Sequence, residues 1–360
     1  DSKGVISQVE LHTGSDRIGT KNYSGNGAFQ DFTALTTIDI REGVRFIGYA
    51  AFQGCKKLKE VNLPNSIGHI SGNAFSDCPK LKTVNIPASV DTIGTYAFQN
   101  DSALVGIELP DGLKYIGLQA FKNSGLRTIR VPEKVEEINC FQDCWQLQEV
   151  DIPGKDTKVY ASVTGSSAFS QCEHIRKVSL CYTENTSALS MIFPDGYKNI
   201  REIELYRGST TVGQRTELVD YFGCAGLSAL EKITIPAGVK TIGNYAFSGC
   251  TSLKQITLPS TIEYISYGAF RDCKNLQRIN LPSRIDTIGN NAFENTGLEA
   301  VVLPKSMKLI GNRAFAGCGK LKSVTLPDVL DYNGGKLFYN DTLLATITIP
   351  AGFPLSKGTF

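Results

Sequence analysis

Imidazole and thiol chemistry rest on three histidines, His12, His69 and His174, and ten cysteines. A histidine metal site or a nucleophile-base-acid triad needs its members within hydrogen-bonding reach of one another. These histidines fall in widely separated stretches, so neither can be assembled from them. Cys140 and Cys144 have a CxxxC spacing, but a closed zinc site takes four ligands and no second pair lies nearby. No phosphate loop, GxSxG elbow or HExxH helix occurs. Asp and Glu are spread along the whole chain, so no particular pair marks a hydrolase. The expectation is no catalytic residue, no metal and no cofactor. Arg176, Tyr182, Asp195, Tyr197, Arg201, Tyr206, Arg207 and Tyr221 do stand out, because they combine aromatic and Arg groups of the kind that anchor macromolecular interfaces. The competing reading has these aromatics folding back over a disturbed stretch of core.

The elements that would position such residues are repeats. The phrase Val239-Lys-Thr-Ile242-Gly243-Asn-Tyr-Ala246-Phe247-Ser-Gly-Cys250-Thr-Ser-Leu253-Lys-Gln-Ile256-Thr-Leu258-Pro259 returns 23 residues later through Ile262, Ile265, Ala269, Phe270, Cys273, Leu276, Ile279, Leu281 and Pro282. Phe anchors recur at 29, 52, 75, 98, 121, 141, 169, 193, 222, 247, 270, 293, 315 and 338. A fixed period of this length is the signature of a solenoid, in which each coil touches only its neighbours. The chain is therefore expected to form one solenoid domain of about 14 coils of 22–23 residues. Its length need not imply several globular domains. Leu253 to Pro259 alternates with period two and ends in a residue that cannot donate to a ladder, which predicts a short parallel strand. Val239 to Ile242 predicts a second extended piece. Gly243 to Cys250 is too short for a stable helix and predicts a turn or a single helical turn that drops Ala, Phe and Cys inward. Right-handed winding follows from the handedness of parallel crossovers, and strands stacked about 4.8 Å apart would run for roughly 65 Å. The Gly after each Ile suggests a positive-φ position, although Ser71 and Ser266 stand there in two coils.

Cys55, Cys78, Cys144, Cys172, Cys250, Cys273 and Cys318 all lie three residues after an anchoring Phe. A residue type fixed by repeat phase reads as a small buried packing group. Disulfides between neighbouring coils are the alternative, since stacking would hold such residues about 5 Å apart. Just after the coil Leu come Lys59, Lys82, Arg127, Arg176, Arg201, Lys254 and Lys322, which would stack into a basic stripe interrupted by Glu60, Glu149, Glu202 and Glu231. That stripe is either a solvated face or a dock for acidic or sulfated partners. Outward strand positions such as Asn62, Asn85, Thr257 and Asn280 lack aromatic platforms, which argues against sugar stacking there. Residues 1–24 read as an atypical cap, 154–224 as irregular coils with loops bulging at 181–199 and 206–222, and 339–360 as an incomplete last coil. The start at Asp1 suggests a trimmed or exported form, and the stop at Phe360 a piece of something longer.

The recurring Ile-Gly-x-x-Ala-Phe-x-x-Cys-x-x-Leu-x-x-Ile-x-Leu-Pro, as in Ile242 to Pro259 and Ile47 to Pro64, resembles the BspA-like leucine-rich repeats of bacterial surface proteins. The resemblance covers nearly the whole chain. It implies a right-handed leucine-rich-repeat superhelix and a secreted or cell-surface adhesion module that meets a protein or glycan on a host or neighbouring cell. It supplies no catalytic residue. A net charge of +2 with interspersed signs argues against nucleic acid as the partner. No stretch is long and apolar enough to form a membrane-crossing helix. A spacer that presents another domain is the alternative function. The rods are expected to be single or weakly paired through the strand edges of their end coils.

Overall fold

The computed structural model of the protein describes residues 2–11, 14–20, 27–161, 167–182, 187–213, 223–327, 332–333 and 335–351. It is a parallel β-solenoid of about 12 turns. Helix among the described residues is limited to the single turns Ser2–Gly4, Leu189–Ile192 and Tyr197–Asn199. The anchor Phe222 and the residue Tyr221 lie outside the described residues. Two compact units divide the chain, one of residues 1–175 with 191–196, the other of residues 176–190 with 197–360.

In the first unit, one ladder takes a strand from each successive coil: Gln8–Leu11, Thr37–Ile40, Glu60–Asn62 and Thr83–Asn85, all parallel. Val61 sits level with Ile38 on one side and Val84 on the other. These three point inward while Glu60 and Asn62 point to solvent, as period-two alternation requires. A second ladder joins Arg17–Ile18, Phe46–Ile47, His69–Ile70, Thr92–Ile93 and Tyr115–Ile116. Residues 1–24 therefore do more than cap the end: Gln8–Leu11 and Arg17–Ile18 supply the first strands of both ladders. The second unit repeats the scheme, with Thr211–Val212, Thr241–Ile242, Tyr264–Ile265, Thr287–Ile288, Leu309–Ile310 and Tyr332–Asn333 in one sheet.

The Phe turns close the third side of each coil. Phe52 N–H donates to Ala74 O at 2.8 Å and Phe75 N–H to Ala97 O at 2.8 Å, so this side too is bonded coil to coil. The rings of Phe29, Phe52, Phe75, Phe98, Phe121, Phe141 and Phe169 form a continuous column, each pair stacked with centroids 5.3–5.5 Å apart. In the second unit Phe247, Phe270, Phe293 and Phe315 stack at 5.1–5.3 Å. Offset stacking adds about 0.5–1.5 kcal/mol per pair beyond the area buried.

Two expectations need correction. The described part of 181–199 does not bulge outward: Cys181, Tyr182, Ala188, Leu189, Ile192 and Phe193 are buried, and Phe193 packs on Phe169 at 4.9 Å. Likewise Val212 is buried within a strand pair, so 206–213 carries a rung of the ladder. Gly19, after Ile18, has φ 83°, but in the regular coils the Gly after Ile is not a positive-φ residue. Where Gly stands, the preceding coil passes close to it: a Cβ on Gly117 would lie 2.3 Å from Thr95 N, and one on Gly94 2.4 Å from Gly72 N, whereas Ser71 and Ser266 occupy the position in two other coils.

That close approach makes a direct test. Gly117→Ala should destabilise the protein by more than about 2 kcal/mol, in the range of overpacked cores, because backbone must shift. Gly106→Ala, where no atom lies within 4 Å, should change stability by less than about 0.5 kcal/mol. Urea denaturation of both variants reads the difference; equal losses would contradict the close-packing explanation.

Candidate recognition surface

The column three residues after each Phe faces the core. All ten cysteines are buried free thiols. Cys78 Sγ donates to Phe52 O at 3.2 Å, Cys273 to Phe247 O at 3.0 Å and Cys318 to Phe293 O at 3.2 Å, tying each coil to the one before. Burial pushes the Cys55, Cys273 and Cys318 thiols up to about 12, and that of Cys144 to about 11, which leaves no thiolate nucleophile at neutral pH. In four coils where Cys is replaced, the substitute is a hydrogen-bonding group. Ser124 Oγ meets Cys144 Sγ at 3.3 Å and Thr296 Oγ1 meets Cys318 Sγ at 3.1 Å. Asp101 and Asp341 take the slot with carboxyls, accepting the N–H of Cys78 at 2.9 Å and of Cys318 at 2.7 Å. The second oxygen of each is buried with no hydrogen-bond partner among the described residues. Cys140, Cys144 and this column are packing and tethering groups. His69 lies beside the Phe46 ring at 6.1 Å, His174 is exposed, and His12 lies outside the described residues.

The residues singled out in 176–221 are not gathered into one cluster. Arg176 and Arg201 occupy successive rungs of the second unit, with Arg201 N–H bonded to Arg176 O at 2.8 Å, and both side chains are exposed. Arg201 reaches Glu231 at 3.5 Å and Lys232 reaches Glu202 at 2.7 Å. At such exposure these pairs contribute under about 1 kcal/mol, so the stripe remains available to a partner. Tyr206 and Arg207 share the turn between Glu202–Leu205 and Thr211–Val212, and Tyr197 is half-buried at the start of its 3₁₀ turn. Tyr182 is a core residue, 1% exposed, so its ring covers the disturbed coils and cannot meet a partner. Asp195 belongs to the first unit, where its carboxylate accepts the Gln171 N–H at 2.6 Å. Lys254 and Arg278, one rung apart, flank an open polar groove of about 460 Å³ with Glu231, Ser252, Gln255 and Gln277.

Another column escaped the sequence reading altogether. Two residues after each Phe stand Asp31, Gly54, Asp77, Asn100, Asn123, Asp143 and Gln171, all with φ between 54° and 73°. Asn, Asp and Gly are the residues that tolerate this left-handed conformation, and their recurrence is the signal that could have located it. Asn100 Nδ2 donates to Asp77 Oδ1 at 2.9 Å and Asn123 Nδ2 to Asn100 Oδ1 at 3.0 Å, so the column is hydrogen-bonded along its length. Beside it lies a groove of about 330 Å³ lined by Gln119, Lys122, Gln142, Asp143, Ser170, Gln171, Pro194 and Asp195. The second unit carries the same left-handed column at Gly249, Asp272, Asn295, Gly317 and Asn340, with Asn295 Nδ2 donating to Asp272 Oδ1 at 2.9 Å, and adds a buried charge: Glu294, almost fully buried, is clamped by Arg313 at 2.8 Å and Arg271 at 3.1 Å.

A family model described as a BspA type leucine rich repeat region matches residues 22–139, 107–216 and 220–345. Among solved structures, a leucine-rich repeat protein from Bacteroides ovatus is 25% identical over 87% of this chain and 86% of its own, with a TM-score of 0.43. The T. pallidum leucine rich repeat protein is 27% identical over 54% of this chain and 79% of its own, at 0.38. A leucine rich cell surface protein from Faecalibacterium prausnitzii is 20% identical over 98% and 91%, at 0.33. No curated protein is significantly similar.

The buried carboxyls set a pH dependence. Desolvation, partly offset by the N–H groups of Cys318 and Gly317, lifts Asp341 from 3.8 to about 6, and desolvation lifts Asp101 well above 3.8. The native state then holds protons that the unfolded chain has already released. Their contribution is therefore fully present below pH 3.8 and, for Asp341, is lost as pH rises towards about 6. Asp101→Asn with Asp341→Asn should flatten that fall relative to the unsubstituted protein in urea titrations across the window. Parallel curves for the two proteins would show that neither carboxyl is held protonated.

Proposed function

The chain belongs to the BspA-type leucine-rich repeat family, and on that premise we propose that it is a non-enzymatic recognition protein of a cell surface or the extracellular space. Its partner is a negatively charged protein or glycan surface on a host or neighbouring cell. The carrying observation is the exposed basic stripe of the second unit, interrupted by Glu231, with Arg176 and Arg201 on successive rungs and Lys254 and Arg278 among the residues lining an open polar groove. Rung spacing repeats a weak contact many times, so breadth supplies affinity where no single deep pocket does. Tyr197, Tyr206 and Arg207 add aromatic and guanidinium groups within the same unit.

The burial of every thiol supports a non-catalytic role, because a buried, protonated thiol is a poor nucleophile. No helix of the described residues is long and apolar enough to cross a membrane.

Charge reversal tests the proposal. Arg176→Glu, Arg201→Glu and Lys254→Glu together should weaken capture on immobilised heparin and on acidic extracellular-matrix proteins by at least about tenfold, while the parent protein's binding should fall steeply with added salt. Unchanged capture by the folded variant would overturn the assignment of the column as the binding face.

A further inference from the structure

The groove of the first unit has a chemistry unlike that of the cationic column. It crosses the turns of four successive coils, those of Phe121, Phe141, Phe169 and Phe193, and the last three each contribute the two residues that follow the Phe. Gln119 and Lys122 come from the first, Gln142 and Asp143 from the second, Ser170 and Gln171 from the third, and Pro194 and Asp195 from the fourth. Amide, ammonium, carboxylate and hydroxyl groups are interleaved, so donors and acceptors alternate along the groove. One cation stands against two carboxylates, and Lys122 already lies 3.4 Å from Asp143. Such a lining repels anionic ligands. Pro194 is its only apolar member, so an apolar side chain has nothing to bury against.

A second observation points to a ligand. Gln142 is 3% exposed, and its Oε1 is buried without a hydrogen-bond partner among the described residues. Its Nε2 donates to Asn139 Oδ1 at 2.6 Å, which fixes the amide with the oxygen left over. A buried acceptor left unmade costs stability, and a bound hydroxyl would satisfy it.

We propose that this groove binds a neutral oligosaccharide chain laid along the stack of coils. Sugar hydroxyls both donate and accept. A vicinal pair can accept from Lys122 Nζ and donate to the Asp143 carboxylate, while Gln119 and Gln171 take hydroxyls of the flanking residues. A chain of linked sugar units suits a groove that extends across four coils and offers polar groups from each turn. Recognition here is by hydrogen bonds along the turn face, distinct from stacking on the outward strand positions. The site shares no residue with the basic stripe of the second unit.

Saturation-transfer NMR on the full chain provides the test, with glucose, mannose, galactose and xylose oligosaccharides as probes and heparin as the charged control. At least one neutral oligosaccharide should give transfer that survives an increase in salt from about 50 to about 500 mM, where Coulombic binding is screened. Gln119→Gly, Lys122→Met and Gln171→Gly together should weaken that binding by at least about tenfold. Glycine suits positions 119 and 171 because their φ values are 54° and 61°. Gln142→Leu, which removes the unsatisfied oxygen together with the Nε2 donor to Asn139 Oδ1, should also weaken binding. The charge-reversed column variant should keep its sugar binding, so failure of either site is seen separately. No transfer from any neutral probe, or transfer that the folded groove variants leave intact, would overturn the proposal.

Discussion

A coil of this protein cannot complete its own hydrogen bonds, and that constraint organises everything else. Short parallel strands have no partner within their own coil, so each N–H and C=O must find the coil before or after. On the third side Phe52 N–H turns to Ala74 O and Phe247 N–H to Ala269 O, at 2.8 Å each. Register is consequently exact in phase: once Val61 is level with Ile38 and Val84, every other position of those coils is level as well. Side chains then arrange themselves in columns. The Phe rings form one, the thiols another, and the left-handed Asn and Asp turns a third.

Columns differ in what they can do. An inward column must be apolar or carry its own hydrogen bond, which is why the Cys slot admits Ser124, Thr296, Asp101 and Asp341 only in contact with the neighbouring coil. An outward column is free to vary, and its repetition converts a modest contact into an extended one. The strand side of the second unit carries Arg176, Arg201 and Lys254, whereas the turn side of the first carries amides, one cation and two carboxylates. Single residues matter less on such a surface than the phase they occupy.

The apolar skeleton was legible in the sequence because period and residue type coincide: Phe, Ile and Leu recur wherever the core requires them. Free thiols could be preferred over bridges for the same reason. Polar positions were harder to read. The Asn and Asp column follows from backbone conformation, which shows in sequence only as a tolerance for several small polar types. Gly after Ile was misassigned because a close approach and a positive φ both select glycine, and only the distance from Gly117 to Thr95 separates them. The segment 181–199 looked like an insertion, yet its Leu189, Ile192 and Phe193 are buried; irregular spacing hid a rung of the core. Tyr182 was grouped with interface residues on composition, and composition cannot distinguish a ring that covers the core from one that faces outward. The grooves depend on neighbours roughly 20 residues apart meeting side by side, so they became visible only once the coils were stacked.

Coil deletion tests the central claim most directly. Phe247 and Phe270 lie 23 residues apart, and removing residues 262–284 excises one whole period. Neighbour-to-neighbour bonding predicts that this protein folds cooperatively, with the same β-sheet circular dichroism per residue and a modestly lower urea midpoint. Removing only residues 262–272 takes out about half a period and brings out-of-phase positions face to face, so it should abolish the cooperative transition. A half-period deletion that unfolds as cooperatively as the whole-period one would contradict the account.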